Sequence, residues 1–180
     1  MNLIESSKPF ARTREDAQAR WLLDILWLVL ATGEDTNGQY SAIEQSVPVA
    51  SGPPPHVHPF EDEAFYVLVG EMTVIIGGQK VVLGPGSLSH IPKNTVHEFK
   101  VTGTEVCHCL NYYTPAGFEQ ALLGCSRPAE LRELPRPGWT IRTLRMWCGS
   151  LTTIGVRRSL SRGQRRSGHV AECPLSAEPL

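Results

Sequence analysis

An all-β domain, a sandwich or barrel of short strands, is the fold class this sequence predicts, and three observations predict it. Gly and Pro make up 30 of 180 residues, and each interrupts a helical ladder, which disfavours a helical bundle. Strand-like apolar runs recur at nearly regular intervals, separated by Gly70, Gly77-Gly78, Gly84-Pro85-Gly86 and Pro92-Lys93-Asn94, the spacing of a sandwich or barrel. At 41% apolar and 19% charged, the chain supplies one core of ordinary domain size and needs neither disulfides nor a metal merely to fold.

A short helix is expected over Thr13–Arg20, where Thr13 caps and Asp16 stands at capping-box spacing. Trp21–Thr32 is apolar at nearly every position. Asp35-Thr36-Asn37-Gly38 then supplies a turn before the rough alternation of Tyr40–Val47, so the pair reads as a β-hairpin with both faces of its first strand covered. Pro48–Pro59 is too rich in proline for a central strand and forms a loop carrying His56 and His58. Strands follow at Glu63–Val69, Glu71–Ile76, Gln79–Leu83, Ser87–Ile91, His97–Val101 and Glu105–Tyr113. Ala116–Leu123 forms a short helix after Pro115, lying across the barrel end. Past Gly138 alternation fades, and Arg157–Arg166 is Arg/Ser-rich with few core-forming residues, so a mobile tail is expected.

Net charge is −1, which offers no field to attract nucleic acid or an acidic membrane surface. Its distribution is uneven: residues 1–138 hold 16 acidic and 10 basic residues, residues 139–180 hold 2 and 7. The abrupt change after Gly138 reads either as a C-terminus replaced by a frame change or as a basic arm for an acidic partner. Five cysteines, an odd number without a C-x-x-C pair, argue against a disulfide framework or thiolate zinc site. Trp21–Ala31, preceded by Lys8, Arg12, Arg14 and Arg20, has the outline of an export signal. Asp24 interrupts it, no small-residue cleavage pattern follows, and it is shorter than the roughly 20 residues a span needs. A cytoplasmic protein without a membrane span is expected.

His56 and His58 stand two apart, so in an extended segment both imidazoles project to one side. Glu63 follows as the next strand begins, and His97 opens a later strand after Pro92-Lys93-Asn94-Thr95-Val96. Three imidazoles and a carboxylate suit Fe, Mn, Ni, Cu or Zn and leave positions open for water, substrate or oxygen. Taken singly, each has a plainer reading: loop histidines in solvent, a solvated acidic turn at Glu61-Asp62-Glu63, a strand-end histidine bonded to backbone. His90 is as ready to face outward as inward, His108 faces away from Cys107 and Cys109, and His169 lies in the tail. The Cys-x-Cys reads as two small buried hydrophobes.

The set as a whole resembles the two motifs of the cupin superfamily. The first is Gly52-Pro53-Pro54-Pro55-His56-Val57-His58 followed by Glu63 and Gly70; the second is Gly86, Pro92-Lys93-Asn94 and His97. Asn94 stands where glycine is commonest, a tolerable change because asparagine accepts the left-handed conformation. Val101 replaces an asparagine found in many members, which touches a supporting residue and no metal ligand. The likeness extends over about residues 20–135 and is closest to small single-domain cupins described as quercetin dioxygenase-like, including Tyr113-Thr114-Pro115-Ala116-Gly117-Phe118-Glu119 at the closing strand and lid helix.

The resemblance implies an all-β cupin double-stranded β-helix, a jelly-roll barrel of about six to eight strands with short flanking helices. One divalent transition metal per chain would be held by His56, His58, Glu63 and His97, with Glu63 also the base on a substrate hydroxyl. Residues 1–20 form an N-terminal arm, 21–135 the barrel with its C-terminal lid helix, and 136–180 the atypical basic tail. By parity Phe65, Val67 and Val69 share the face of Glu63, while Phe99 and Val101 share that of His97. A substrate cavity lined by Phe65, Val67, Phe99 and Tyr113 is expected, its apolar walls favouring a planar or apolar organic substrate. Tyr66, Tyr112 and Tyr113 offer hydroxyls either to a substrate or to the core.

The expected function is a quercetinase-like dioxygenase acting on a small aromatic or enolisable substrate with dioxygen. The alternatives are a metal-dependent isomerase, lyase or cyclase, and a non-catalytic small-molecule-binding module. A homodimer is expected because Trp21, Trp27 and their apolar hairpin exceed what one small barrel covers.

Overall fold

The computed structural model describes residues 8–136 and the pair 152–153. Twelve strands among these residues form two antiparallel sheets facing each other across one core. The seven-stranded sheet begins with β1 (Gln18–Leu22), β2 (Ile25–Ala31) and β3 (Ser41–Val47). It is completed by β5 (Asp62–Val69), β8 (Leu88–Ile91), β10 (Cys107–Thr114) and β11 (Arg127–Pro128), in the order β11-β1-β2-β3-β10-β5-β8. The five-stranded sheet runs β12-β4-β9-β6-β7. Its members are β4 (His56–Val57), β6 (Met72–Ile76), β7 (Gln79–Leu83), β9 (His97–Val101) and β12 (Thr152–Thr153). Two short helices, α1 (Gly33–Thr36) and α2 (Phe118–Cys125), flank the sheets. The architecture is the expected jelly-roll barrel, and no helix among the described residues is long and apolar enough to cross a membrane. Apart from Thr152–Thr153, which pairs with β4, the basic tail lies outside the described residues.

Three local expectations change. The helix over Thr13–Arg20 is a single turn. Thr13 Oγ1 donates to Asp16 Oδ2 at 2.7 Å and Ala17 N donates to Thr13 O at 3.1 Å. From Gln18 onward the backbone instead pairs with β2, tertiary pairing overriding a weak local preference. The run Trp21–Thr32 is two strands. Leu23-Asp24 makes a tight turn, with Leu23 left-handed at φ 58, because a carboxylate in the middle of a buried strand would go unpaired. At the turn Asp24 accepts a hydrogen bond from Ser51 Oγ. The connection from β2 to β3 is a helical turn, α1, capped by Thr32 in a capping box with Asp35 and closed by left-handed Asn37.

A fourth change concerns Val69, which is 43% exposed and lines no interior wall. The β5–β10 register passes from Cys109↔Val67 to His108↔Val69, so Leu68 is the extra residue of a bulge. Beyond it the inward parity is reversed.

The strand β2 is buried on both faces, as expected. Ile25, Trp27 and Val29 enter the barrel core, while Leu26 and Leu28 pack with Ala17, Trp21 and Leu134 on the outer side. Trp27 is therefore covered by its own chain, and Trp21 is partly covered. Trp27 is 3% exposed with its indole N–H on Leu22 O, and Trp21 donates to Glu133 O at 2.8 Å. Of the surface expected to need a dimer partner, Trp27 and the hairpin strand β2 are covered within the chain, while Trp21 remains partly exposed.

Candidate metal centre

The two motifs meet where the sheets face each other. His56 on β4 stands directly opposite His97 on β9, and the coil beyond β4 carries His58. Glu63 projects from β5 in the other sheet, in register with Tyr113 and Ile91 on its neighbours. The second-motif turn is tied to the first: Asn94 N donates to His58 O at 2.8 Å and Lys93 N to Asp62 Oδ1 at 2.8 Å. Asn94 adopts the left-handed backbone, φ 63, that the motif's usual glycine would take.

His56, His58, Glu63 and His97 are all at most 5% exposed, and one ligand atom from each lies within 4.8 Å of the others. Metal–ligand bonds of about 2.0–2.2 Å place two donors of one ion about 3–4.4 Å apart, so small side-chain shifts close these four on one ion. Glu63 Oε2 approaches His97 Nε2 at 2.8 Å and His58 Nε2 at 3.3 Å. Neither approach has hydrogen-bond alignment, and Glu63 Oε2, His58 Nε2 and His97 Nε2 are all without a hydrogen-bond partner. Buried atoms that point at a common place rather than at each other are a donor set for a cation, so the residues fit the group.

The tautomers agree. His56 Nδ1 lies 2.8 Å from Pro54 O and His97 Nδ1 2.8 Å from Thr95 O, so each Nδ1–H is spent on a carbonyl and Nε2 is left as the donor to a metal. Burial, with the charge of His97, pushes His56 down to about 4, leaving a neutral imidazole at neutral pH. Burial also opposes the charge on Glu63, yet His58 and His97 hold its carboxyl well below the usual range. For His97 burial pulls downward, and the contact with Glu63 outweighs it.

The other oxygen of Glu63 is held by the barrel wall. Asn111 Nδ2 and Tyr113 Oη both donate to Glu63 Oε1 at 2.8 Å. Tyr113, expected as a cavity residue, is thus bonded to the carboxylate, and it stacks under Phe118 of α2 at 4.1 Å. Phe118 also meets the His58 ring edge-on at 5.1 Å. Asn111 and Phe118 were missed in the sequence. For Asn111 a signal existed, since it shares the parity of Tyr113 on a strand opposite Glu63.

Of the other residues expected to line a cavity, Phe65 and Val67 are fully buried in the barrel core and Phe99 is 4% exposed, with the two phenyl rings 5.0 Å apart. His90 faces outward, and His108 bonds Ser46 Oγ at 3.0 Å. Cys107 and Cys109 are buried in the core. The hydrogen bond it shares with Cys107, together with burial, pushes the Cys109 thiol up. Cys109 therefore stays a thiol and donates to Asn111 Oδ1 at 3.4 Å. His169 lies outside the described residues.

Residues 43–113 match the cupin domain family. The chain is 35% identical over 78 residues to quercetin 2,3-dioxygenase of Bacillus subtilis (strain 168). That stretch covers 43% of this chain and only 23% of the relative. Among solved structures, KdgF from Halomonas sp. superposes with a TM-score of 0.55 at 19% identity, covering 63% of this chain and 99% of that one. The polyketide cyclase RemF from Streptomyces resistomycificus gives 0.52 at 24% identity, covering 59% and 80%. At these identities the structural likeness is one of fold.

Proposed function

From the premise that this chain carries a cupin domain, we propose that it is a metal-dependent oxidoreductase. In this reading it is a quercetinase-like dioxygenase acting on a small aromatic or enolisable substrate. The observation that carries the reading is the convergence of His56, His58, Glu63 and His97 on one buried point, in a chain 35% identical over 78 residues to a quercetin 2,3-dioxygenase. A bound Fe, Mn, Ni, Cu or Zn ion supplies a Lewis acid for an enolate or phenolate oxygen and a meeting place for substrate and dioxygen.

The chain's own residues do the rest. With its carboxylate swung off the metal, Glu63 would take the substrate hydroxyl proton on Oε2, since Oε1 is engaged by Asn111 and Tyr113. Those two donors keep the carboxylate aimed. Phe65, Val67 and Phe99 keep water from the reacting atoms. The same reading places the protein in the cytoplasm, in line with free Cys107, Cys109 and Cys125. It also takes a homodimer, through the outer face of β5, β8 and β10 where Tyr66, Leu88 and Tyr112 are exposed. Sedimentation at micromolar concentration checks the dimer.

The test of function is elemental analysis of protein purified without chelator or histidine tag, followed by oxygen uptake with quercetin. About one first-row metal per chain, lost in His58→Ala, together with oxygen consumption, is the expected result. Metal without oxygen uptake favours an isomerase, lyase or cyclase. No metal after anaerobic reconstitution leaves a non-catalytic binding module. Glu63→Gln should keep most of the metal and lose turnover; metal loss with unchanged activity per ion would contradict the base role.

A further inference from the structure

Cys107, Cys109, Asn111 and Tyr113 are alternate residues of β10, and all four are buried on its inward side. Asn111 and Tyr113 hold Glu63 Oε1, whereas the cysteines take no part in the proposed chemistry. The protons of this row can be placed one by one. Tyr113 Oη gives its only proton to Glu63 Oε1 at 2.8 Å and accepts from Asn111 Nδ2 at 3.3 Å. Asn111 Nδ2 also donates to Glu63 Oε1 at 2.8 Å. Both amide hydrogens are thereby spent, and the other end of the amide, Oδ1, accepts from Cys109 Sγ at 3.4 Å.

An amide's two ends are alike in size and opposite in hydrogen-bonding sense. Reversed, Asn111 would set Oδ1 against Glu63 Oε1, two acceptors with no proton between them, at a position with no exposed surface. The cross-strand neighbours of Asn111, Ile43 on β3 and Phe65 on β5, carry no side-chain donor, and the Tyr113 proton is on Glu63. The donor for Oδ1 therefore comes from along the strand, from Cys109. Packing alone accounts for a small buried cysteine; it does not account for a thiol aimed at the oxygen of the amide that holds a metal ligand.

We propose that Cys109 is a positioning residue of the metal centre. Its thiol holds the Asn111 amide by the oxygen end, the amide holds Glu63 Oε1, and Oε2 stays turned toward His58 and His97. This rests on the metal-centre reading and on no choice of reaction. A purely structural cysteine would change the stability of the metal-free protein and leave metal affinity alone, so the two roles separate by measurement.

The experiment uses the full-length protein with Ni2+ as probe, an ion that imidazole and carboxylate donors bind well. Affinity is read by competitive chelator titration, with the metal-free melting temperature alongside. Cys109→Ala, and Cys109→Val, which fills the volume without a donor, should each weaken Ni2+ binding about fivefold, the scale of one neutral hydrogen bond. Cys109→Ser, which keeps a donor, should return affinity to within about twofold of wild type. Cys107→Ala removes the same volume one step further along the strand and leaves the thiol–amide bond in place, so its affinity should also stay within about twofold.

An Asn111→Ala background shows whether the thiol acts through the amide. There Cys109→Ala should change affinity by no more than about twofold, because the link it supports is gone. A full further loss in that background, an unmoved affinity in Cys109→Ala and Cys109→Val, or an equal loss in Cys107→Ala overturns the proposal. A lower melting temperature with unchanged Ni2+ affinity overturns it as well, since the thiol then only packs. If wild type takes up no Ni2+, the metal-centre reading falls and takes the proposal with it. Wild-type binding with unmoved variants sinks the proposal alone.

Discussion

The two oxygens of Glu63 have different surroundings: Oε2 faces His58 and His97, and Oε1 accepts from Asn111 and Tyr113. Partners that orient a ligand in this way typically contribute 10–100-fold in metal affinity or activity. Tyr113→Phe should therefore weaken metal binding about tenfold in a competitive chelator titration, with the fold intact by circular dichroism. Unchanged affinity would show that Asn111 alone suffices. Far from the site, Asp35 accepts two bonds from Arg12 and closes the capping box with Thr32. Its carboxyl is held well below the usual range, chiefly by the Arg12 hydrogen bond. A depressed carboxyl stabilises the fold above its unfolded value of 3.8 and loses that contribution as pH falls toward the folded value. Asp35→Asn should cost about 1 kcal/mol at pH 7, a difference that shrinks below pH 3.8 in urea melts at stepped pH.

At the scale of elements, α2 is held from its far end. Arg20 on β1 donates to Ser126 Oγ, Leu123 O and Ser126 O at 2.7–2.8 Å, meeting the carbonyls that a helix end leaves unpaired. The same helix begins with Phe118, packed on His58 and Tyr113. Arg20→Ala should cost about 1.5–3 kcal/mol, the scale of hydrogen bonds from a charged group, seen as a lower urea midpoint with unchanged slope. The loop before His56 depends on Gly52. A Cβ there would stand 1.9 Å from Phe99 O, on a backbone at φ 156. Gly52→Ala must displace either the ligand loop or β9, so metal content and melting temperature should fall together. A variant with normal metal content would show that the loop can move away.

For the molecule as a whole, the four ligands come from both sheets, with His56 and His97 on one and Glu63 on the other. A bound ion ties the sheets together only in the folded state, so its binding is linked to folding. At a free-metal concentration of 100 times Kd the stabilisation is about 2.7 kcal/mol. Added chelator should lower the wild-type melting temperature by several degrees and leave His58→Ala unmoved.

Much of this was legible in the chain itself. His56, His58, Glu63 and His97 declared themselves by type and spacing. The strand runs from Glu63 to Tyr113 held to within two residues at either end, because alternation and Gly/Pro turns are local properties of the backbone. Asp24 carried the information that broke the long apolar run, but its hydrogen-bond partner, Ser51, is distant in sequence. The bulge at Leu68, the burial of Trp27 and the Asn111–Glu63 bond all required knowing which strands become neighbours. Residue chemistry fixed what the metal set is made of. Register, a long-range property of strand pairing, decided which oxygen of Glu63 is held and that Asn111 and Tyr113 hold it.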